Sequence, residues 1–312
     1  MAKPEIAVVI PAYNAAGFIR RALDSVFAQS LQPVEVTVVD DGSKDATALI
    51  VEEEYKGRAR LVRQQNRGPA AARNVAIHGS NAEFVAFLDA DDWWEPTKLE
   101  RQAAVLMARP ESPAVYTAMH MVSDTDGRVK LRSAFRAQRL PRVLRYSNPL
   151  ITPSCLMARR SALVKVGGFS EEHAGCEDWA MWIDLIQLGP FVALDEPLTN
   201  YRVSLGGLSG NADHMYNDFL KMLDGRLLRK TEGVSREMWR RRAISSQAFA
   251  AAMTARASKD RSTEHRYLKL SLATWPSPFF EPKRFRAALV ALIRSVKPAA
   301  VSVTSQQGKP RP

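Results

Sequence analysis

Phe84-Val85-Ala86-Phe87-Leu88-Asp89-Ala90-Asp91-Asp92 joins a continuous apolar run directly to a cluster of carboxylates. A short, unbroken apolar run of this kind reads as a strand buried on both faces, which is the habit of a parallel sheet covered by helices. Carboxylates packed this closely repel one another, and the usual remedies are a bound cation or a raised pKa. Mg²⁺ and Mn²⁺ are hard ions that take oxygen ligands and share them with substrate phosphates. The chemical reading is a divalent metal, Mn²⁺ or Mg²⁺, bound with a diphosphate at this loop. The plain alternative is a solvated acidic turn capping a helix that begins near Trp93. By itself the Asp-x-Asp tripeptide does not decide between them.

Upstream, the chain alternates between two periodicities. Ile6 to Ile10 and Val34 to Val39 are apolar, β-branched runs, and Arg60 to Gln64 is a weaker third strand. Between them, Phe18, Ile19, Ala22, Leu23, Val26 and Phe27 recur at helical spacing, predicting a helix over 16–29. Ser43 or Asp45 is placed to cap a second helix over 46–54, and 70–77 reads as a third. Strand–helix alternation predicts an α/β domain with a mostly parallel central sheet. In such sheets ligands bind beyond the carboxyl ends of the strands. Tyr13, Asp40, Asp41, Asp89 and Asp91 all fall at that edge, so one shared site is expected.

Downstream, residues 126–147 carry seven basic side chains after Asp126 with no acid among them, and read as a mobile or partly helical excursion beside the site. Trp179, Trp182, Ile183 and Ile186 mark a helix led by Glu177-Asp178. Beyond about residue 213 the pattern is helical, with a last amphipathic helix over 284–296. The expected organisation is a catalytic domain over 1–212, a helical basic region over 213–297 and a disordered tail over 298–312.

Charge divides along the same line. The net +11 of the 312 residues comes entirely from the C-terminal part: 1–212 carry 24 Lys and Arg against 25 Asp and Glu, and 213–312 carry 20 against 8. A basic helix with Phe285, Leu289, Leu292, Ile293 and Val296 on one face, flanked by Lys283, Arg284, Arg286, Arg294 and Lys297, has the pattern of an interfacial helix on anionic lipid. Packing on the protein itself is the competing reading. Nucleic acid is disfavoured as a partner because it leaves the acidic strand-end cluster without purpose. No apolar run approaches the roughly 20 residues needed to span a bilayer. The N-terminus shows no signal-peptide region, and the two cysteines lack framework spacing, which favours the cytoplasm with peripheral membrane attachment.

Taken in order, the motifs are more specific than any one of them. Val8-Val9-Ile10-Pro11-Ala12-Tyr13-Asn14, Val38-Val39-Asp40-Asp41-Gly42-Ser43, Asn66-Arg67-Gly68 with Ala72-Arg73-Asn74, and Phe87-Leu88-Asp89-Ala90-Asp91-Asp92 closely resemble the family 2 glycosyltransferases. Gly167-Gly168-Phe169, Glu177-Asp178-Trp179 and Tyr201-Arg202 with Ser209 extend the likeness to about residue 210. The resemblance implies a GT-A fold, a nucleoside-diphosphate sugar as donor, and inversion at the anomeric carbon. It implies that Pro11, Ala12, Tyr13 and Asn14 border the nucleotide, with Tyr13 stacked on the base and Asp41 accepting from it. Arg73 would lie near the nucleotide, Asp89 would bind ribose, Asp91 the metal, and Asp178 would act as general base. Glu177, Trp179, Arg202 and Ser209 become candidate acceptor or diphosphate contacts. Two positions depart from the pattern: Ser204 stands where many members have histidine, and Asp184 near a common arginine.

The expected activity is transfer of a sugar, from a UDP-sugar first of all, to an acceptor hydroxyl on a glycan or a lipid-linked acceptor. The alternatives are transfer to a polyprenyl phosphate, or a nucleotide-sugar-binding regulator that does not catalyse. An intact Asp91 and Asp178 argue against the regulator, since a binder has no use for a base.

Overall fold

Strand β1 (Ile6–Ala12) has almost no surface contact, because alternate side chains enter different cores. Ile6, Val8, Ile10 and Ala12 face one hydrophobic cluster and Val9 faces the other. This is why the run carries no polar alternation. In the computed structural model, residues 3–173, 175–204, 210–229, 233–276 and 283–296 are described, with side chains to residue 291. Helix α1 (Ile19–Phe27) follows β1, then β2 (Glu35–Asp40), α2 (Thr47–Glu54), β3 (Arg60–Arg63), α3 (Pro69–His78) and β4 (Phe84–Phe87). These four strands pair with one another in parallel, in the order β3-β2-β1-β4.

The register decides what stands at the edge. Ala12 lies opposite Asp40 and Val9 opposite Phe87, so the loops after β1, β2 and β4 leave the sheet side by side. Helix α3 starts with Pro69 in the first turn, where its missing N–H costs nothing. Gly68, at φ 89°, supplies the left-handed entry.

The other half of the sheet is mixed. β5 (Trp93–Trp94) precedes α4 (Lys98–Ala108), then come β6 (Ala114–Ser123), β7 (Val129–Arg132), α5 (Leu140–Val143), β8 (Leu156–Arg159), α6 (Arg160–Lys165), α7 (Glu177–Leu185) and β9 (Val192–Val203). The order continues β8-β6-β9-β5, with β7 paired to β6. Only β6–β9 is parallel here; β8 joins β4 and β6 antiparallel. The expected α/β class holds, and its parallel character is carried by the N-terminal strands. Two local expectations change. No helix begins at Trp93: Trp93 and Trp94 pair with Asn200 and Thr199, and the buried Trp94 ring N–H donates to Ser154 O at 2.9 Å. The basic 126–147 stretch includes a strand as well as helical turns, since β7 folds back on β6.

The C-terminal helices are α8 (Ala212–Met222), α9 (Gly233–Ala257), α10 (Arg261–Thr274) and α11 (Lys283–Val296), with a wide turn at Leu223–Leu227 after α8. They do not hang off the sheet: Tyr216, Phe219 and Met222 join the same core as Val9, Phe87 and Trp182. The Phe219 ring stacks on Trp179 with centroids 5.8 Å apart. An alanine seam on α9 (Ala248, Ala251, Ala252 and Ala255) lets the helices approach closely. The expected tail over 298–312 lies outside the described residues.

Candidate active site

The donor edge begins with two loops stitched together by their polar side chains. Asn14 N donates to Ser43 Oγ at 2.9 Å, and Lys44 N donates back to Asn14 Oδ1 at 2.8 Å. Ala15 N reaches Thr47 Oγ1 and Ala16 N reaches Asp45 Oδ2. Asn14 has φ 49°, a left-handed value asparagine tolerates better than most residues. Pro11 and Ala12 end β1 beneath this clasp, and Tyr13 projects from it with 48% of its surface exposed.

Asp41 is almost fully engaged by protein. Its Oδ1 accepts from Gln64 Nε2 at 2.7 Å and Arg67 N at 2.8 Å, and its Oδ2 from Gly68 N at 2.8 Å. Oδ2 retains room for one further donor. Asp41 therefore holds the 64–68 loop against the end of β2.

The carboxylates after β4 differ from one another. Asp89 accepts from Arg73 Nη2 at 2.6 Å, and Thr152 Oγ1 lies within reach of both Asp89 Oδ2, at 3.1 Å, and Asp92 Oδ2, at 3.3 Å. Asp92 is buried and also accepts from Arg202 N at 2.9 Å. Burial, then the charges of Asp89 and Asp91, push it well above the ordinary carboxylate range. Its geometry is that of a latch between strands. Asp91 is the more accessible, with 40% of its side chain exposed, and its Oδ2 contacts Arg202 Nη1 at 3.1 Å. Burial and the neighbouring Asp89 raise its pKa. A cation at Asp91 would relieve that repulsion, so the donor set fits a hard divalent ion. Among the described residues no group of three His, Cys, Asp or Glu side chains forms a metal cage. An ion here would take its remaining ligands from the diphosphate and water, which is the habit of Mg²⁺ in phosphate sites.

Arg73 links this cluster to the other half of the sheet. Fully enclosed in α3, it spans Asp89 and Glu177, the latter at 3.0 Å from Nη1. Burial alone would lower its pKa, but the two carboxylates outweigh that and keep it charged. The next residue, Asn74, clamps Phe169 through both its amide atoms, Nδ2 to Phe169 O at 2.8 Å and Phe169 N to Oδ1 at 2.7 Å. A Cβ on Gly168, at φ 76°, would come within 2.4 Å of Asn74 Oδ1, which explains the glycine there. The Phe169 ring lies 5.1 Å from the Arg73 guanidinium carbon.

Asp178 opens α7, where unpaired helix N–H groups and the dipole orient a carboxylate. Its Oδ2 accepts from Asn148 Nδ2 at 2.8 Å. Burial first, then Glu177 beside it, push its pKa up to about 7. A carboxylate poised there is suited to accept a proton near neutrality.

Several candidate residues are placed differently from expectation. Glu177 is buried against Arg73, and Trp179 is buried with its ring N–H donating to Leu144 O at 2.8 Å, so both brace the helix instead of facing an acceptor. Arg202 does reach Asp91, and is also gripped by Asp124 and laid 3.8 Å over the Phe18 ring. Ser209 lies outside the described residues. Asp184, at the position where arginine is common, is paired with Arg226 at 2.6 Å. Thr152, Ser154 and Asn148 were not foreseen as site residues. Their signal was faint: small polar side chains interleaved with Pro149 and Pro153 in an otherwise apolar stretch.

A parallel half-sheet with carboxylates at its strand ends, joined through Arg73 to Glu177 at the start of α7, is an architecture of the GT-A type. Comparison with known proteins agrees. The family described as glycosyl transferase family 2 matches residues 7–167, and the chain belongs to that family. It is 31% identical over 215 residues to the putative teichuronic acid biosynthesis glycosyltransferase TuaG of Bacillus subtilis, covering 67% of this chain and 83% of that protein. It is 28% identical over 190 residues to chondroitin synthase of Escherichia coli, covering 60% of this chain and 27% of that one. Among other curated relatives, the match spans 65% of a Nostoc glycosyltransferase and 30% of Bacillus subtilis EpsH. The fold is shared with S. aureus TarS 1-349 in complex with UDP, at TM-score 0.54, 20% identity and coverage of 87% and 89%. It is also shared with the mannosyltransferase PcManGT of Pyrobaculum calidifontis in complex with GDP-Man and Mn²⁺, at TM-score 0.57, 21% identity and coverage of 94% and 87%.

Proposed function

We propose that this glycosyltransferase moves a sugar from a nucleoside-diphosphate sugar to an acceptor hydroxyl with inversion, using Asp178 as general base. The observation that carries the reading is the Arg73 bridge between Asp89 and Glu177, which fixes the donor carboxylates relative to the helix that bears Asp178. Tyr13 stacks on the base, and the remaining acceptor capacity of Asp41 Oδ2 meets an N–H of uracil or thymine. Asp178 takes the acceptor proton as its oxygen bonds to the anomeric carbon, and the carbon–oxygen bond to the diphosphate breaks, the electron pair leaving with the nucleotide. A Mn²⁺ or Mg²⁺ ion at Asp91 supplies positive charge for the departing diphosphate. Arg202, adjacent to Asp91, adds a second cation on that side.

The named relatives support a glycan-building role, and the base is open between the UDP and GDP carried by the two fold neighbours. Calorimetric titration with UDP, dTDP and GDP, each with and without Mn²⁺, tests the donor. Tight, metal-dependent binding of one nucleotide, lost on Asp91→Asn, is expected; equal binding without metal would remove the ion from the reading. A polyprenyl-phosphate acceptor is favoured by the exposed basic run that includes Arg128 and Lys130. That reaction needs no base, so Asp178→Asn would leave it intact.

Among the described residues no helix is long and apolar enough to cross a membrane. Helix α11 exposes Phe285 and Leu289 (36% and 57%) beside the exposed Lys283 and Arg286, which supports peripheral attachment to anionic lipid. Arg284, expected on its polar flank, instead turns inward and donates to Ser271 O at 3.1 Å. The side chains of Leu292, Ile293, Arg294, Val296 and Lys297 lie outside the described residues. Vesicle flotation with and without residues 283–312 checks the anchor; unchanged binding by the truncated chain would assign attachment elsewhere.

A further inference from the structure

A cavity of about 750 Å³ opens on the back of α7, bounded by α5, by the turn after α7 and by the wide turn after α8. It is built from the half of α7 that the transfer reaction does not use. Ile183 and Ile186, half-buried at the edge of the core that holds Trp182 and Leu185, line the cavity together with Leu144 and give it an apolar floor. Asp184 lies six positions after Asp178, about 9 Å of helix rise. This volume lies within the range of small-molecule sites, roughly 300–1,000 Å³.

Its charge is one-sided. Arg145, Arg226 and Arg229 line it, and Asp184 is the acid among the lining side chains. Asp184 is already committed to Arg226 at 2.6 Å. The nearby Asp224 is drawn off by Arg236 and Arg240. Arg145 and Arg229 are exposed, so the cavity keeps more positive charge than it neutralises. A free carboxylate or phosphate alone has no use for the isoleucine floor, and a neutral hydrocarbon has none for the arginines.

We infer that this cavity binds a lipid phosphate, its anionic head between Arg145 and Arg229 and its hydrocarbon chain over Leu144, Ile183 and Ile186. The site is separate from the donor edge and does not depend on the donor reading. The same chemistry is offered by a bilayer phospholipid and by a single prenyl phosphate, and the two are distinguished by the probe.

The test uses the full-length chain. Farnesyl phosphate, farnesol and inorganic phosphate are titrated calorimetrically, with vesicles of phosphatidylglycerol or phosphatidylcholine as a separate arm. Farnesyl phosphate should bind at least about tenfold more tightly than either fragment, because head and chain are recognised together. The double variant Arg145→Gln/Arg229→Gln alters two exposed side chains, so folding is retained. It should weaken farnesyl phosphate at least about tenfold, about 1.4 kcal/mol, while leaving nucleotide binding unchanged. Ile186→Trp, which fills the floor, should weaken it similarly. Vesicle binding that falls with the same variants assigns a bilayer source; binding of monomeric farnesyl phosphate without vesicle binding assigns a single lipid-phosphate ligand. Equal affinity of wild type and double variant, or displacement of farnesyl phosphate by nucleotide, overturns the inference.

Discussion

Asp41 follows β2 and Asp178 opens α7, and the protein treats these two carboxylates differently. Asp41 closes the parallel half-sheet and is held by three donors from residues within 27 positions of it. Asp178 belongs to the mixed half, where it accepts from Asn148 Nδ2 and from Trp179 N, and burial beside Glu177 lifts its pKa to about 7. Two backbone amides fastened to Asp41 make it a clamp on the 64–68 loop, whereas burial beside a second carboxylate makes Asp178 a stronger proton acceptor. Arg73 joins the two halves through Asp89 and Glu177.

That contrast is broken most directly by Asp178→Asn. Transfer should fall by about 10³-fold while nucleotide affinity holds within about twofold, since only the proton acceptor is lost. Comparable losses in both would move Asp178 into the donor site. Arg73→Ala tests the bridge. Removing one partner of a buried ion network leaves Asp89 and Glu177 uncompensated, and unfolding in urea should show a loss of about 3–5 kcal/mol. A loss below about 1 kcal/mol would mean the two halves are joined by packing alone.

Smaller effects sharpen the picture. Tyr13→Ala should weaken nucleotide binding about tenfold, the scale of one aromatic–base stack, without altering the pH profile. Transfer itself should rise with pH through about 7 and level off above, because the base acts deprotonated. Asn148→Ala removes a hydrogen bond that favours the charged carboxylate, so the midpoint should move upward. A downward move would contradict the role given to Asn148. The same raised pKa has a stability consequence. The folded chain holds this proton more tightly than the unfolded one, so Asp178 costs stability as pH rises from the ordinary carboxylate value toward 7. Asp178→Asn should therefore be more stable than the natural chain at pH 8, measured by thermal unfolding.

How far the sequence reached follows the same division. The runs at Ile6, Val34 and Phe84 were legible because a strand buried on both faces carries no alternation to confuse, and their loops carry the chemistry directly after them. Tyr13, Asp41, Asp89 and Asp91 could be named for that reason. Strands β5, β6, β8 and β9 were not foreseen. β8 is four residues long, β5 is two, and β9 contains Pro197 and pairs with β6 through a register shift at Thr117–Met119. Short or irregular strands are specified by their neighbours, which periodicity cannot see.

Sequence alone determined the class of fold, the order of the motifs and which carboxylates stand at strand ends, because these depend on residues adjacent in the chain. Tertiary structure decided that Glu177 and Trp179 brace α7 instead of facing an acceptor. It also decided that Asp92 is a latch and that Asp178 is lifted to about 7. Those outcomes rest on partners brought together across the sheet. Arg73 lies 104 residues from Glu177, Arg202 lies 110 from Asp92, and Asn148 lies 30 from Asp178. Burial and pairing set a carboxylate's charge, and both are properties of the folded neighbourhood.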